Sequence, residues 1–567
     1  MQYHTITDGV HCAEEISGIS WDIKSDAAVA GLGTAGSIAL IKAAELGVDV
    51  IGIERLSAMG GLGTVGCVWD YFYGSSGGRF EKINDECFEL TERAFTQCEI
   101  ADKKENYRCF NGAARSVVLD RNAEKSHCRI FYNTAVCGVY TDNGRIAGIR
   151  CIGEKGSFTI GLTICIDCTG DIVLYRLMGL PYKSGRDYDG RQMRFSKTIV
   201  GIKDGLTRGG WTMKGNRENK NALEQSQLIL KCNTMPPCLE ERYTDEYRIV
   251  YEGTLPGFRE SPRIISKHEL KFEDVLLGKQ CSESLFYAFA PVDNVNRDAV
   301  FNTHIQQIWR FVCKMYGVGI SVGVPLGTML PRDCEGLLVA GKGMGVDSDL
   351  TACVRMRKDL EKSGETAAVA AYVAINKKCN LSELKYDELA PMLKENGCLD
   401  EENDIGLAKI SGGMKREKLP EILTAEQINE NLLTDYYGQS IVAAMKSGSE
   451  EIRTAILECL KSDNRLLRER AAFAGGVLKM PQAFPILLEM AEREPDYVPK
   501  KPAFMSVITG AVFLLRNYNC DESRKVLQKI ADKYSFAKTY SEYDSSPEEE
   551  MAYMLKNLAE IGLKEME

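Results

Sequence analysis

No apolar stretch in this 567-residue chain reaches the ~18 residues that a bilayer-crossing helix needs. The opening Met1-Gln-Tyr-His-Thr-Ile-Thr-Asp-Gly has neither a basic n-region nor an apolar h-region. No export signal is read there, and a cytoplasmic protein is expected. Positive charge is also in deficit: 70 Lys+Arg stand against 80 Asp+Glu, a net charge of -10. Without Lys/Arg-rich stretches to meet a phosphate backbone, nucleic-acid binding is disfavoured. Histidine is scarce, with five in all. No Cys or His group has zinc or iron–sulfur spacing, so no metal is expected.

Cysteine is plentiful, at 20, but an unexported chain keeps its thiols reduced. The single C-x-x-C, Cys165-Ile-Asp-Cys168, falls in an apolar run from Leu162 to Cys168 that reads as a strand. Positions i and i+3 of a strand face opposite sides, so these thiols stay apart. Most of the cysteines read as small core residues. With 44% hydrophobic and 26% charged residues, the composition is globular. At ~100–200 residues per domain, the length accommodates about three domains.

The strongest local signal begins at Ser25. Ala27–Ala30 is a short apolar strand, Gly31-x-Gly33-x-x-Gly36 is a turn, and Thr34–Leu46 is an Ala-rich helix ended by Gly47. Val48–Ile53 is a second strand, closed by Glu54. This is a complete βαβ unit of dinucleotide-binding type. Gly31 permits the tight turn, Gly33 lets the backbone approach a pyrophosphate, and Gly36 lets helix and strand pack closely. Thr34 and Ala35 open the helix, whose N-terminus faces the anion. Glu54 is placed to accept hydrogen bonds from an adenosine ribose.

A second Gly-rich loop follows Glu54-Arg55, with Gly60, Gly61, Gly63, Thr64 and Gly66. This segment resembles the opening of FAD-dependent oxidoreductases related to the glutathione-reductase and fumarate-reductase flavoproteins. Ile164-Cys-Ile-Asp-Cys-Thr169-Gly170-Asp171 is similar to that family's A-T-G-D strand end. Leu337-Leu-Val-Ala-Gly341-Lys342 through Arg355-Met356 is similar to its late L-L-V-A-G-R block. Ser363-Gly-Glu-Thr-Ala-Ala-Val-Ala-Ala is similar to the small-residue helix that follows. Gly257-Phe-Arg-Glu-Ser-Pro-Arg-Ile and Gly185-Arg186-Asp-Tyr-Asp-Gly190 resemble one branch of the family, with Pro262 and Lys342 standing where that branch has Arg. The resemblance spans about residues 20–375.

It implies bound FAD, held by the residues of both Gly-rich loops with Val136, Thr169, Gly170, Gly341, Lys342, Arg355 and Met356. The fold it implies is α/β: a Rossmann-like FAD-binding domain (1–171 and 321–380) with an inserted α+β substrate domain (172–320). Residues 381–406 read as a linker. From about Leu407 the pattern is of amphipathic helices, among them Ser449–Leu460, Arg465–Leu478, Phe484–Glu494, Ser506–Leu515 and Ser523–Tyr534. Arg465–Met480 with Phe484–Ala491 resembles a HEAT-type helix pair, so 407–567 is expected as an all-α HEAT-like domain.

The expected chemistry is hydride transfer between flavin and a small polar metabolite, by CH–OH dehydrogenation or reduction of an activated C=C bond. Arg259, Glu260 and Arg263 form the candidate catalytic cluster, able to clamp an anion or to form an ion-pair network. His304 and His268 are candidate proton acceptors. Tyr71, Phe72 and Tyr73 are candidates to cover the flavin ring or to fill core. Gly317-Val-Gly319-Ile-Ser-Val-Gly323 has the wrong spacing for a second nucleotide site and no following helix. Electrons would then pass through the substrate or a separate carrier. The competing readings are a flavoprotein of RNA modification and a non-catalytic flavin-fold scaffold. A homo-oligomer is left open.

Overall fold

The computed structural model describes residues 1–69, 73–94, 111–203, 206–216, 223, 226–227, 248–293, 296–411, 415–495, 505–537 and 546–567. Ala27–Ala30 forms a fully buried strand, β1, followed by helix α1 (Thr34–Glu45) and strand β2 (Val50–Ile53). The helix ends where Gly47 takes φ +88°, and the amides of Gly47 and Val48 bond back to the carbonyls of Ala44 and Ala43. Such a closing turn favours glycine. It also draws Val48 out of the strand, which therefore starts later than its apolar run predicts.

Strands β3 (Arg129–Phe131), β4 (Ile164–Asp167) and β5 (Leu337–Val339) complete a five-stranded sheet in the order β5-β4-β1-β2-β3. Every pairing in it is parallel. Parallel strands are buried on both faces, which is why these segments read as continuous apolar runs. Ala27 and Val29 face one core, and Ala28 and Ala30 face the other. Cys165 and Cys168 divide between the same two cores, and both are free thiols.

One face is covered by α1 and by α2 (Arg357–Lys377), which lies along it. A side chain at Gly364 would strike the Ala35 carbonyl, so the two helices sit at backbone contact. The other face is covered by a sheet of Val10–Glu15, Gln2–Thr7, Ala135–Asp142, Arg145–Gly153, Gly156–Gly161 and Ile23–Lys24, in that order. Val139, Ile149 and Ile160 from this sheet share a core with Ala28 and Ile51.

Between β4 and β5 the chain builds a three-stranded antiparallel sheet from Arg194–Lys203, Leu206–Asn216 and Arg248–Glu252. It also pairs Ser284–Pro291 with Val318–Pro325. The glycines at 319 and 323 lie within this last strand.

Two expectations are corrected here. Leu407–Ile410 and Arg416–Lys418 are strands, not helices, and Leu407–Ile410 pairs antiparallel with Val318–Ile320. The free edge of a strand far earlier in the chain supplies those hydrogen bonds, and no local pattern announces it. Residues 381–406, expected as a linker, contain a helix at Tyr386–Glu395 whose Leu389 and Leu393 are buried.

The helical region starts at Ala425–Asn431, where Thr424 and Gln427 form a capping box. It continues through Gly438–Ser447, Glu450–Leu460, Arg465–Val477, Phe484–Ala491, Val507–Leu515, Asp521–Lys533 and Pro547–Glu565. The side chains of Ser449, Asn464 and Ser546 cap three of these starts. Such residues outcompete apolar ones at N-caps because their oxygens satisfy amides that the helix leaves open.

This region is seated on a turn of π-helix at Ile308–Val312. Tyr437 donates its hydroxyl to the Val312 carbonyl at 3.0 Å, and Lys314 donates to the Ser506 carbonyl at 2.6 Å. Phe311, Phe473 and Phe513 join the core that also contains Val29 and Phe286. Among the described residues no helix is long and apolar enough to cross a membrane.

Candidate functional site

The carboxyl ends of β1, β2, β4 and β5 open onto one cleft of about 780 Å³. This is the edge at which parallel α/β sheets bind ligands. The near end is lined by Gly31, Gly33, Thr34 and Ala35, by Ile53–Leu56, and by Thr134–Val136. Cys168–Asp171, Ala340–Lys342, Met356 and Arg357 line its middle, and Arg355 reaches from there to Asp293 at the far end. The far end is lined by Ser196, Thr198, Leu255–Arg259, Pro291–Asp293, Arg310 and Met315–Gly317.

At the near end Gly31 has φ +81°, and a Cβ there would lie 2.7 Å from the Thr169 Cα. Gly36 packs harder still: its Cβ would fall 1.9 Å from the Gly31 carbonyl oxygen. Gly33, by contrast, faces open space. It is the N-cap of α1 and offers no side-chain cap, so the first amides of that helix are left for a ligand.

Glu54 is buried at the tip of β2. Its carboxylate accepts from Leu32 N at 2.6 Å and Leu56 N at 2.9 Å. Burial holds this carboxyl above its usual range, against those amides and the Arg55 guanidinium. A carboxylate has about four lone-pair sites, so Glu54 keeps acceptor capacity for a hydroxyl donor.

The second Gly-rich loop folds onto the first. Gly60 N donates to the Leu32 carbonyl, and Thr64 Oγ1 donates to the Met59 carbonyl at 2.6 Å, closing the loop. Gly60 and Thr64 thus shape the cleft from behind, whereas Gly61 lines it.

Asp167, fully buried at the end of β4, accepts from Thr169 N, Thr169 Oγ1 and Leu174 N and so sets the Thr169–Asp171 turn. Gly341 N donates to Ser363 Oγ, and Lys342 Nζ donates to the Phe258 carbonyl at 2.6 Å. That last bond ties the parallel-sheet body to the segment carrying Arg259.

The Arg259–Glu260–Arg263 cluster is split by the fold. Arg259 turns into the cleft, donating to Ser196 Oγ at 3.2 Å and Asp293 Oδ2 at 3.3 Å. Glu260 and Arg263 turn away and form a buried ion pair. Glu260 also accepts from Ser348 Oγ and Met193 N, and Arg263 donates to the Gly185 carbonyl. Adjacent side chains of a non-helical segment diverge, so three nearby charges do not share one site.

His304 is corrected more sharply. It lies outside the cleft, with its side chain 60% exposed, paired to Glu565 in the last turn of the C-terminal helix. That partner is 261 positions away, beyond any local reading. His268 is exposed and also outside the cleft. Tyr73 lines the cleft, whereas Tyr71 and Phe72 lie outside the described residues. Among the described residues no histidine lines the cleft.

Sequence reasoning missed Asp293, Arg310 and Arg357. Arg310 carried a signal: a lone charge in the apolar run Ile308-Trp-Arg-Phe-Val312 must be buried for a reason. Asp293 carried none.

Behind the cleft, Ser348 links the Glu260–Arg263 pair to two acidic neighbours. Asp347 accepts from Phe272 N and Leu350 N, and burial with Asp349 beside it pushes its carboxyl up to about 7. In the unfolded chain it would lose its proton near ~4. A raised folded-state value means that its contribution to stability is complete below ~4 and is lost as the pH rises through 7. Asp347→Asn is therefore expected to flatten the fall in thermal midpoint between pH 5 and pH 8. Circular dichroism melts at both pH values check this, and an unchanged slope would refute it.

Residues 26–235 and 213–393 match the family described as FAD dependent oxidoreductase. The chain belongs to this family. No curated protein matches the sequence. Similar solved structures include OxyS anhydrotetracycline hydroxylase from Streptomyces rimosus, at 11% identity over 80% of this chain and 76% of that one, TM-score 0.35. p-Nitrophenol 4-monooxygenase PnpA from Pseudomonas putida shows 11% identity over 79% and 97%, TM-score 0.34. A geranylgeranyl bacteriochlorophyll reductase-like protein from Thermoplasma acidophilum shows 13% over 80% and 99%, TM-score 0.32.

The residues of this FAD-dependent oxidoreductase suit the cofactor. The open face of Gly33 and the uncapped start of α1 suit a pyrophosphate. The remaining acceptor capacity of Glu54 suits a ribose hydroxyl. At about 780 Å³, the cleft lies in the upper part of the ~300–1,000 Å³ range of ligand pockets.

Proposed function

We propose that this oxidoreductase transfers a hydride between its flavin and a small polar metabolite, either dehydrogenating a CH–OH group or reducing an activated C=C bond. The observation that carries this reading is the continuity of the cleft, from the glycine turn at Gly31 to a polar far end with Arg259, Arg310 and Arg355. In this reading residues 1–171 with 321–380 serve the cofactor and 172–320 serve the substrate.

When bound, the flavin supplies the hydride acceptor or donor. Gly31, Gly33, Thr34, Ala35 and Gly36 shape the pyrophosphate site, and Glu54 and Arg55 flank the ribose. Val136, Gly61, Thr169, Gly170, Gly341, Lys342 and Met356 line the rest, and Arg355 stands where the cofactor part of the cleft meets the far end. Arg259 orients the substrate, because its guanidinium is a cation of the substrate segment that turns into the cleft. His304 has no part in proton transfer here, since it lies outside the cleft. Electrons enter or leave through the substrate or a separate carrier, as the chain has one dinucleotide turn.

An anaerobic screen of polar metabolites tests this by bleaching or reoxidation of the flavin band. Arg259→Ala is expected to keep its flavin and lose bleaching by a factor of about 100, the cost of one or two charge-assisted bonds. His304→Ala is expected to bleach at the wild-type rate. Flavin that no metabolite reduces or reoxidises would overturn the proposal in favour of a scaffold. Co-purifying RNA that alters the flavin spectrum would overturn it in favour of RNA modification.

A further inference from the structure

Two guanidiniums meet on one carboxylate at the far end of the cleft, which Arg310 also lines. Arg355 Nη2 donates to both the main-chain oxygen of Asp293 and its Oδ2, at 3.0 and 3.1 Å. Arg259 Nη1 donates to the same Oδ2 at 3.3 Å. The Asp293 carboxylate is also the strongest opposing charge on Arg310. Arg259 and Arg355 are close enough for each cation to disfavour the other. Burial pushes both Arg310 and Arg355 down to about 10. Two guanidiniums, those of Arg259 and Arg355, thus share one carboxylate.

The single carboxylate is the exposed member of the group. The Asp293 side chain is 50% exposed, against 19% for Arg259 and 8% for Arg355. Two buried cations thus share one oxygen of a half-exposed residue at the mouth of a roomy cleft. A structural ion pair is normally satisfied one to one or bidentately. Here two guanidiniums share one carboxylate oxygen, and the residue that carries it is the one most free to leave.

We propose that Arg259 and Arg355 form a carboxylate-recognition site, with Asp293 as an internal competitor that a substrate carboxylate displaces. The substrate is then a small carboxylic acid whose reacting carbon lies on the flavin side of its carboxylate. This deepens the hydride-transfer reading and rests on it for the word substrate, but the binding site itself can be tested separately.

The test uses purified holoenzyme and follows the flavin absorbance during titration with acetate, malonate and succinate, with their amides, and with inorganic phosphate. Carboxylates are expected to perturb the spectrum with dissociation constants at least about tenfold below those of the amides and of phosphate. Asp293→Asn keeps the shape of the residue but removes the competing charge, so carboxylate binding is expected to tighten by about three- to tenfold. Arg259→Met is expected to weaken it by about 10–100-fold, the loss of a charge-assisted bond. Arg259 is the least buried of the arginines whose exposure decides the choice, and Arg259→Lys is the second variant should Arg259→Met fold poorly.

Equal binding of acids and amides, tighter binding of phosphate, or an Asp293→Asn variant that binds acids no better would each overturn the site. The two proposals fail differently. Bleaching by neutral metabolites without carboxylate binding removes the carboxylate site and leaves hydride transfer. Carboxylates that shift the spectrum while no compound of any charge bleaches or reoxidises the flavin do the reverse.

Discussion

Gly36→Ala is expected to give a folded protein that purifies with less than a tenth of its normal flavin. The added methyl would stand 1.9 Å from the Gly31 carbonyl oxygen and 2.9 Å from the Cys168 Cβ. Something must move, and the choice is between α1 and the turn. α1 cannot retreat, because α2 lies behind it at backbone contact through Gly364. The turn is the softer element, so Gly31–Gly33 shifts and carries the amides of Thr34 and Ala35 out of line.

Overpacking of this kind costs about 1–3 kcal/mol of stability. Hydrogen bonds to a charged group contribute about 1.5–3 kcal/mol each, so losing one or two weakens FAD binding by a factor of about 100 or more. The ratio of flavin to protein absorbance, and titration of the stripped protein with FAD, measure the effect. Gly47→Ala is the control: its φ of +88° is equally strained, but a Cβ there meets open space at the far end of α1. It is expected to lower stability and spare the flavin. A fully yellow Gly36→Ala protein would show that contact between α1 and the turn does not shape the cofactor site.

The second large effect is on stability. Glu260→Ala leaves Arg263 buried with its charge uncompensated, since both side chains of the pair are 2% exposed or less. It also strips an acceptor from Ser348 Oγ and Met193 N. Removing one partner of a buried pair costs about 3–5 kcal/mol, far more than the net worth of the pair, because the desolvated partner remains. Urea unfolding at pH 7 is expected to show that loss, with flavin content per folded molecule unchanged. Arg259→Ala is the mirror image, with little change in unfolding and a large loss of flavin reduction. A Glu260→Ala variant as stable as wild type but inactive would return the pair to the chemistry.

Those two neighbours explain where a sequence reading stops. Arg259 and Glu260 are adjacent, both charged and not separable by pattern, yet one enters the cleft and the other is locked behind it by Ser348 and Met193. The direction of a side chain in an irregular segment depends on what packs against it, and Ser348 and Asp293 come from distant parts of the chain. His304 failed for the same reason, its partner being Glu565. Leu407–Ile410 became a strand because the edge of Val318–Pro325 needed one.

The sequence alone determined the βαβ unit, the acid at the tip of β2, the glycine turn and the separation of Cys165 from Cys168. All of these rest on interactions within a few residues, where spacing is geometry. Only the tertiary structure decided which charges meet. It brought Arg259 and Arg355 together on Asp293, and it seated the helical region on the π-turn that carries Arg310. Burial, unlike periodicity, is a property of the whole fold, and the strength of a charge depends on burial.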